Sequence, residues 1–234
     1  MACVSLNFGR GGDDNDNVMA VESRSDRKKR VSKIINVLSK VYPDARVELN
    51  YSNPLELLIA TILSAQCTDK RVNMVTAELF KKYRTAADYA NADLSELEKE
   101  IKVHWVLSQQ GQKRFRQCAR FWRRNTVGRC RQVWNCLRRY RAWVRKTANV
   151  LLGNAFGINA GIVVDTHVSR LANRLRLTEE EDPEKIERDL MELVPRELWT
   201  KFSNLLIWHG RRRCIARKPD CANCEIRNLV PLRR

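Results

Sequence analysis

The apolar positions of the chain recur at helical spacing. Leu55, Leu58, Ile59, Ile62 and Leu63 stand at i, i+3, i+4, i+7 and i+8, which places them along one helix face. Asn53 precedes them as an N-cap, Pro54 comes next at N1 where its missing N–H removes no helix bond, and Glu56 sits at N3. Val168, Leu171, Ala172 and Leu175 repeat the spacing behind Asp165, a second capping residue. Ile186, Leu190, Leu193 and Val194 repeat it again, after Asp182-Pro183 and before Pro195. No segment shows the period-two alternation of a half-buried strand. The pattern predicts an all-α fold, and 234 residues suffice for one large domain or two small ones.

Composition sharpens this picture in three ways. The chain carries a formal net charge of +17, which points to a polyanionic partner such as nucleic acid, because each neutralised phosphate releases counterions. Its eight cysteines come without a basic-then-apolar leader, so the reading is a reducing, cytoplasmic compartment rather than a disulfide scaffold. No run of apolar residues is long enough to span a membrane. Residues 1–24 read as a disordered tail.

One segment departs from the rest. Residues 103–144 contain no Asp or Glu but hold 11 Lys and Arg, four of the six Trp and three of the eight Cys. Without those 11 cations the net charge falls from +17 to +6. The apolar residues there follow no helical period.

Two places carry candidate chemistry. Near the C-terminus, Cys214, Cys221 and Cys224 are spaced C-x6-C-x2-C, which suits zinc or an iron–sulfur cluster, although either normally takes four ligands. Arg217 and Lys218 lie in the loop between them, where they can meet phosphates. The second place is Lys146, expected at the start of a helix. An amine is nucleophilic only when neutral, and a helix N-terminus and burial both disfavour an ammonium. Asp165 can accept or shuttle a proton and stabilise a developing cation. The same residues also read simply as an exposed helix lysine and an N-cap.

Taken together, Asn53–Asn73 (NPLELLIATILSAQCTDKRVN), Arg145–Gly157 (RKTANVLLGNAFG), Val164–Leu175 (VDTHVSRLANRL) and Leu205–Cys224 (LLIWHGRRRCIARKPDCANC) resemble the endonuclease III family of the helix-hairpin-helix superfamily. The resemblance implies two helical lobes with a DNA cleft between them. One is a helical barrel lobe with the hairpin, residues 47–158. The other joins both termini and holds the iron–sulfur loop, residues 25–46 with 159–234. It implies a base-excision enzyme that removes oxidised pyrimidines and cleaves the abasic site by β-elimination. Lys146 then matches the Schiff-base lysine, Asp165 the catalytic aspartate, and Gln66 the side chain that fills the gap left by a flipped base. Arg145 and Thr147, which flank Lys146, become DNA contacts along with Arg217 and Lys218. Cys214, Cys221 and Cys224 match three of the four ligands of a [4Fe–4S] cluster, with zinc as the alternative. The expected partner is double-stranded DNA with a damaged base or abasic site, bound by a monomer.

Two positions break the pattern. The family's L-P-G-V-G hairpin is replaced by Tyr140, Arg141, Ala142, Trp143 and Val144, and its fourth cysteine by Val230. The glycines let backbone N–H groups approach a phosphate, whereas the β-carbons here would obstruct that approach. Codons exist for Arg139–Val144 that read LSGVG in a shifted frame, and deletion of one base from codons for Leu229–Arg234 gives LCPSA. Residues 103–144 and 230–234 therefore read as frame-shifted. If the change is real in the protein, a DNA-binding remnant with impaired catalysis is the alternative function.

Overall fold

The computed structural model describes residues 22–65, 67–93, 95–97, 100 and 142–231. Gln66 and residues 103–141 of the anomalous segment lie outside them, as do residues 1–21 of the tail. The described residues contain helices and no strand, as the apolar periodicity predicts. None of those helices is long and apolar enough to cross a membrane.

Eight α-helices are placed among the described residues: α1 Arg24–Val41, α2 Pro54–Ser64, α3 Asp69–Lys82, α4 Ala86–Asn91, α5 Ala142–Phe156, α6 Thr166–Arg174, α7 Pro183–Leu193 and α8 Trp199–Arg212. Their ends are set by the expected caps. Asn53 accepts a bond from the Glu56 N–H at 3.0 Å, while the Glu56 carboxylate reaches back to the Ser52 N–H at 2.6 Å. Asp182 accepts from the Glu184 and Lys185 N–H groups, each at 3.0 Å. Gly157 closes α5 with φ of +66°, a left-handed conformation that costs glycine little, and the Ile158 N–H then bonds the Leu152 carbonyl.

The helices enclose two hydrophobic cores. In the first, Leu57, Ile59 and Leu63 of α2 meet Val72 and Leu79 of α3, Tyr89 of α4 and Leu151 of α5. In the second, Val31, Ile34 and Leu38 of α1 meet Leu171 of α6, Ile186 and Leu190 of α7, and Phe202, Leu205 and Leu206 of α8. Helix α1 thus packs with the helices of the C-terminal half. The cores meet along residues 162–164, where Val163 joins the first and its neighbours Ile162 and Val164 join the second.

Polar bonds then fasten the long segment that leads from α1 to α2. The Arg211 guanidinium of α8 pairs with both Glu48 and Asp69, and Arg212 holds Glu48 at 2.8 Å. Burial raises the Glu48 carboxyl, but hydrogen bonds from Arg212 and Arg211 outweigh it and hold the group below the usual carboxylate range. The Trp208 indole N–H donates to the Arg46 carbonyl at 2.7 Å, and the Arg212 guanidinium stacks over the Trp208 ring at 3.9 Å.

Phe202 has no exposed surface and sits at the centre of the second core. Phe202→Ala is expected to lower the unfolding free energy by about 3–5 kcal/mol in a denaturant titration.

Candidate active site

Lys146 and Asp165 are held on different elements by different means. Lys146 is the fifth residue of α5, whose inner face, with Ala148 and Leu151, packs into the first core. Its side chain is half-buried, and among the described residues its ammonium makes no hydrogen bond or ion pair. The sequence places the helix start at Lys146, whereas the helix begins at Ala142. Ala142, Trp143 and Val144, which stand at the family's glycine-hairpin positions, have become the first turn of α5. Lys146 lies beyond the first turn, where the positive end of the helix dipole acts most strongly.

Asp165 is the N-cap of α6. Its Oδ1 accepts from the His167 N–H at 2.9 Å and the Val168 N–H at 2.8 Å, which leaves Oδ2 without a partner among the described residues. The segment before it is fixed by burial of Ile162, Val163 and Val164, and by the Ser203 hydroxyl accepting from the Val163 N–H at 3.0 Å. Asp165 therefore both starts a helix and keeps one carboxylate oxygen outside its capping bonds.

The neighbours of Lys146 are less open than the sequence suggests. Thr147, expected to contact DNA, is instead buried, with 3% of its surface exposed. Arg145 is held by Glu187 of α7 at 2.6 Å, although its side chain keeps 46% of its surface exposed. Glu187 is itself 4% exposed and was not singled out in the sequence, although the signal was there. It lies three residues before Leu190 and seven before Val194, on the apolar face of α7, where a lone carboxylate needs a partner.

The cysteine loop comes directly after α8. Arg170 of α6 donates to the Gly210 carbonyl at 3.0 Å and the Cys214 carbonyl at 3.1 Å. Arg174 donates to the Ile215 and Ala216 carbonyls, each at 2.8 Å. Arg217 and Lys218 are exposed on the same loop. Cys214 and Cys224 are partly buried against the second core, while Cys221 is exposed. Burial pushes the Cys224 thiol up, and its neighbours Cys214 and Cys221 push the same way. The buried His209 imidazole lies 3.5 Å from the Cys224 sulfur, and burial holds that ring below the usual imidazole range. Val230 packs against the second core and offers no donor. The three thiols are thus neighbours, yet among the described residues no three His, Cys, Asp or Glu side chains converge as a metal-binding group. The set falls one thiolate short of a four-cysteine cluster.

Comparison with known proteins places this arrangement. A family model described as HhH-GPD superfamily base excision DNA repair protein matches residues 59–196. The chain is 44% identical over 216 residues to Endonuclease III of Synechocystis sp., covering 88% of this chain and 93% of that protein. A structure titled as a non-covalent Endonuclease III-DNA complex matches with a TM-score of 0.76 at 35% identity, over 87% of this chain and 94% of that one. Another, titled as a trapped Endonuclease III-DNA covalent intermediate, matches with a TM-score of 0.75 at 36% identity, over 84% and 92% of the two chains.

The two duties of Asp165 can be separated. Asn caps a helix as well as Asp, so Asp165→Asn should leave thermal stability nearly unchanged, whereas Asp165→Ala should cost about 0.5–2 kcal/mol. If the carboxylate also acts in chemistry, both variants lose turnover to a similar degree. Melting curves and activity assays on the pair read the two effects independently.

Proposed function

Because the chain belongs to the endonuclease III family of HhH-GPD base excision DNA repair proteins, we propose that it is a bifunctional glycosylase and abasic-site lyase that works through Lys146. Its substrate in this reading is double-stranded DNA carrying an oxidised pyrimidine or an abasic site. The observation that carries the reading is the half-buried Lys146 amine on α5, which makes no hydrogen bond or ion pair among the described residues, together with an Asp165 carboxylate oxygen that the capping bonds do not use.

The chemistry is built from these groups. The target nucleotide leaves the base stack, which exposes C1′ of its sugar. The neutral Lys146 amine bonds to C1′ as the bond to the damaged base breaks, and the base departs with its electron pair and gains a proton. Asp165 stabilises the positive charge that develops on the sugar and relays protons. Ring opening gives an iminium between Nζ and C1′. Loss of a C2′ proton then expels the 3′ phosphate, and water releases the lysine. Arg217 and Lys218 supply phosphate contacts, and Gln66 fills the space that the base vacates. The barrel lobe spans residues 47–158 in this reading, and residues 25–46 with 159–234 form the other.

Cys214, Cys221 and Cys224 correspond to three ligands of the family's [4Fe–4S] cluster. With Val230 in the fourth position they do not complete it, and no step of the reaction passes through it.

Borohydride should trap the wild-type chain covalently on a duplex with one abasic site, and Lys146→Ala should abolish the adduct. Intact DNA binding with no adduct would instead identify a catalytically impaired remnant. That outcome has a structural motive, because α5 includes Ala142, Trp143 and Val144, three of the five hairpin positions. Metal analysis gives a second check. Iron and sulfide are expected at low occupancy, and Val230→Cys is expected to raise both, together with the broad visible absorbance of a cluster. Stoichiometric zinc in a colourless protein would show that the loop serves that ion.

A further inference from the structure

Glu187 joins the elements that carry the two reactive groups. It projects from α7 with 4% of its surface exposed, in a position where a carboxylate needs hydrogen-bonding partners. Both of its oxygens are used by α5. Oε2 accepts from Arg145 Nε at 2.6 Å, and Oε1 accepts from Asn149 Nδ2 at 2.9 Å. Those partners stand one residue before and three residues after Lys146, so the carboxylate grips α5 on both sides of the amine. The Asn149 amide is buried, and its Oδ1 has no partner among the described residues. Its amino group is thus committed to Glu187 even though its oxygen stays unsatisfied.

The same carboxylate bears on the approach to Asp165. Gly161 lies four residues before Asp165, and a β-carbon there would stand 2.2 Å from Glu187 Oε1 and 2.5 Å from Asn149 Nδ2. Only glycine lets the Asp165 segment run this close over the Glu187–Asn149 bond. One buried group therefore sets the register of the lysine helix through hydrogen bonds and the height of the aspartate segment through contact.

We propose that Glu187 is a positioning residue for the reaction, fixing the Lys146 amine relative to Asp165 through Arg145, Asn149 and Gly161. The inference rests on the reading of Lys146 as the Schiff-base lysine. Arg145 serves in it as the link between Glu187 and the lysine turn, in addition to any phosphate that its exposed edge meets. A salt bridge that merely ties α7 to α5 would govern melting alone. A positioning role governs the rate once DNA is bound, because displacement of reacting groups by about 1 Å costs on the order of 100-fold.

The test is single-turnover borohydride trapping by the full chain on an abasic-site duplex, over a range of DNA concentrations, with melting curves measured alongside. Glu187→Gln keeps the shape and an acceptor for Asn149 while removing the charge that holds Arg145. It is expected to lower the trapping rate at saturating DNA by about 10- to 100-fold, with the half-saturating concentration changed by less than about twofold. The double variant Glu187→Gln with Arg145→Gln buries no charge and keeps a folded reference even where the single variant is weakened. It should trap no slower than Glu187→Gln alone, because the two residues act as one unit. An unchanged rate at saturation, a loss confined to the half-saturating concentration, or additive losses in the double variant would overturn the inference. No adduct from the wild-type chain, or one that survives Lys146→Ala, would overturn the lysine reading and this inference with it. Trapping through Lys146 that ignores Glu187→Gln would overturn this inference alone.

Discussion

Everything at the seam between the cores depends on one stretch of non-helical chain that must satisfy two interiors at once. Ile162 and Val164 enter the second core, while Val163, between them, enters the first. Successive side chains thus enter different interiors, so three consecutive branched residues bind the cores together like a shared wall. Asp165 is the next residue, and its position is therefore set by hydrophobic burial on both sides before its own hydrogen bonds form. The Ser203 hydroxyl satisfies the Val163 N–H, a group that such a crossing would otherwise bury unpaired.

The ionic contacts are arranged around that wall. Arg211, Glu48 and Asp69 tie the final helix to the chain that enters the first core. Glu187 ties α7 to α5 across the seam. In each case a buried or partly buried carboxylate is matched by a guanidinium, and the match fixes direction as well as distance. The fold thus uses apolar burial to build each half and charged pairs to set how the halves face each other.

Much of this was legible in the sequence. The apolar faces of α2, α6 and α7 follow from spacing, and Asn53, Asp165 and Asp182 announce their helix starts because a short polar side chain has one obvious use before an apolar repeat. The start of α5 was not legible in the same way. Ala142, Trp143 and Val144 carry no capping signal, and their helical backbone extends turns that Ala148 and Leu151 anchor in the first core. Thr147 and Arg145 were assigned from their neighbourhood to Lys146, yet a helix turns about 100° per residue, so adjacent positions need not share an environment. Glu187 was legible only as an anomaly of pattern, because its partners lie 42 and 38 residues away in the chain.

The arginine bonds around the cysteine loop have a further consequence. Arg170 and Arg174 hold the carbonyls of Cys214, Ile215 and Ala216, and these are main-chain oxygens that any amino acid at those positions would supply. Cations on a neighbouring helix thus help to set the path of this turn whatever side chains it carries. Absence of one thiol, as where Val230 stands, removes none of these bonds. Ligand identity and loop shape are then separate heritable traits, and loss of the one need not erase the other.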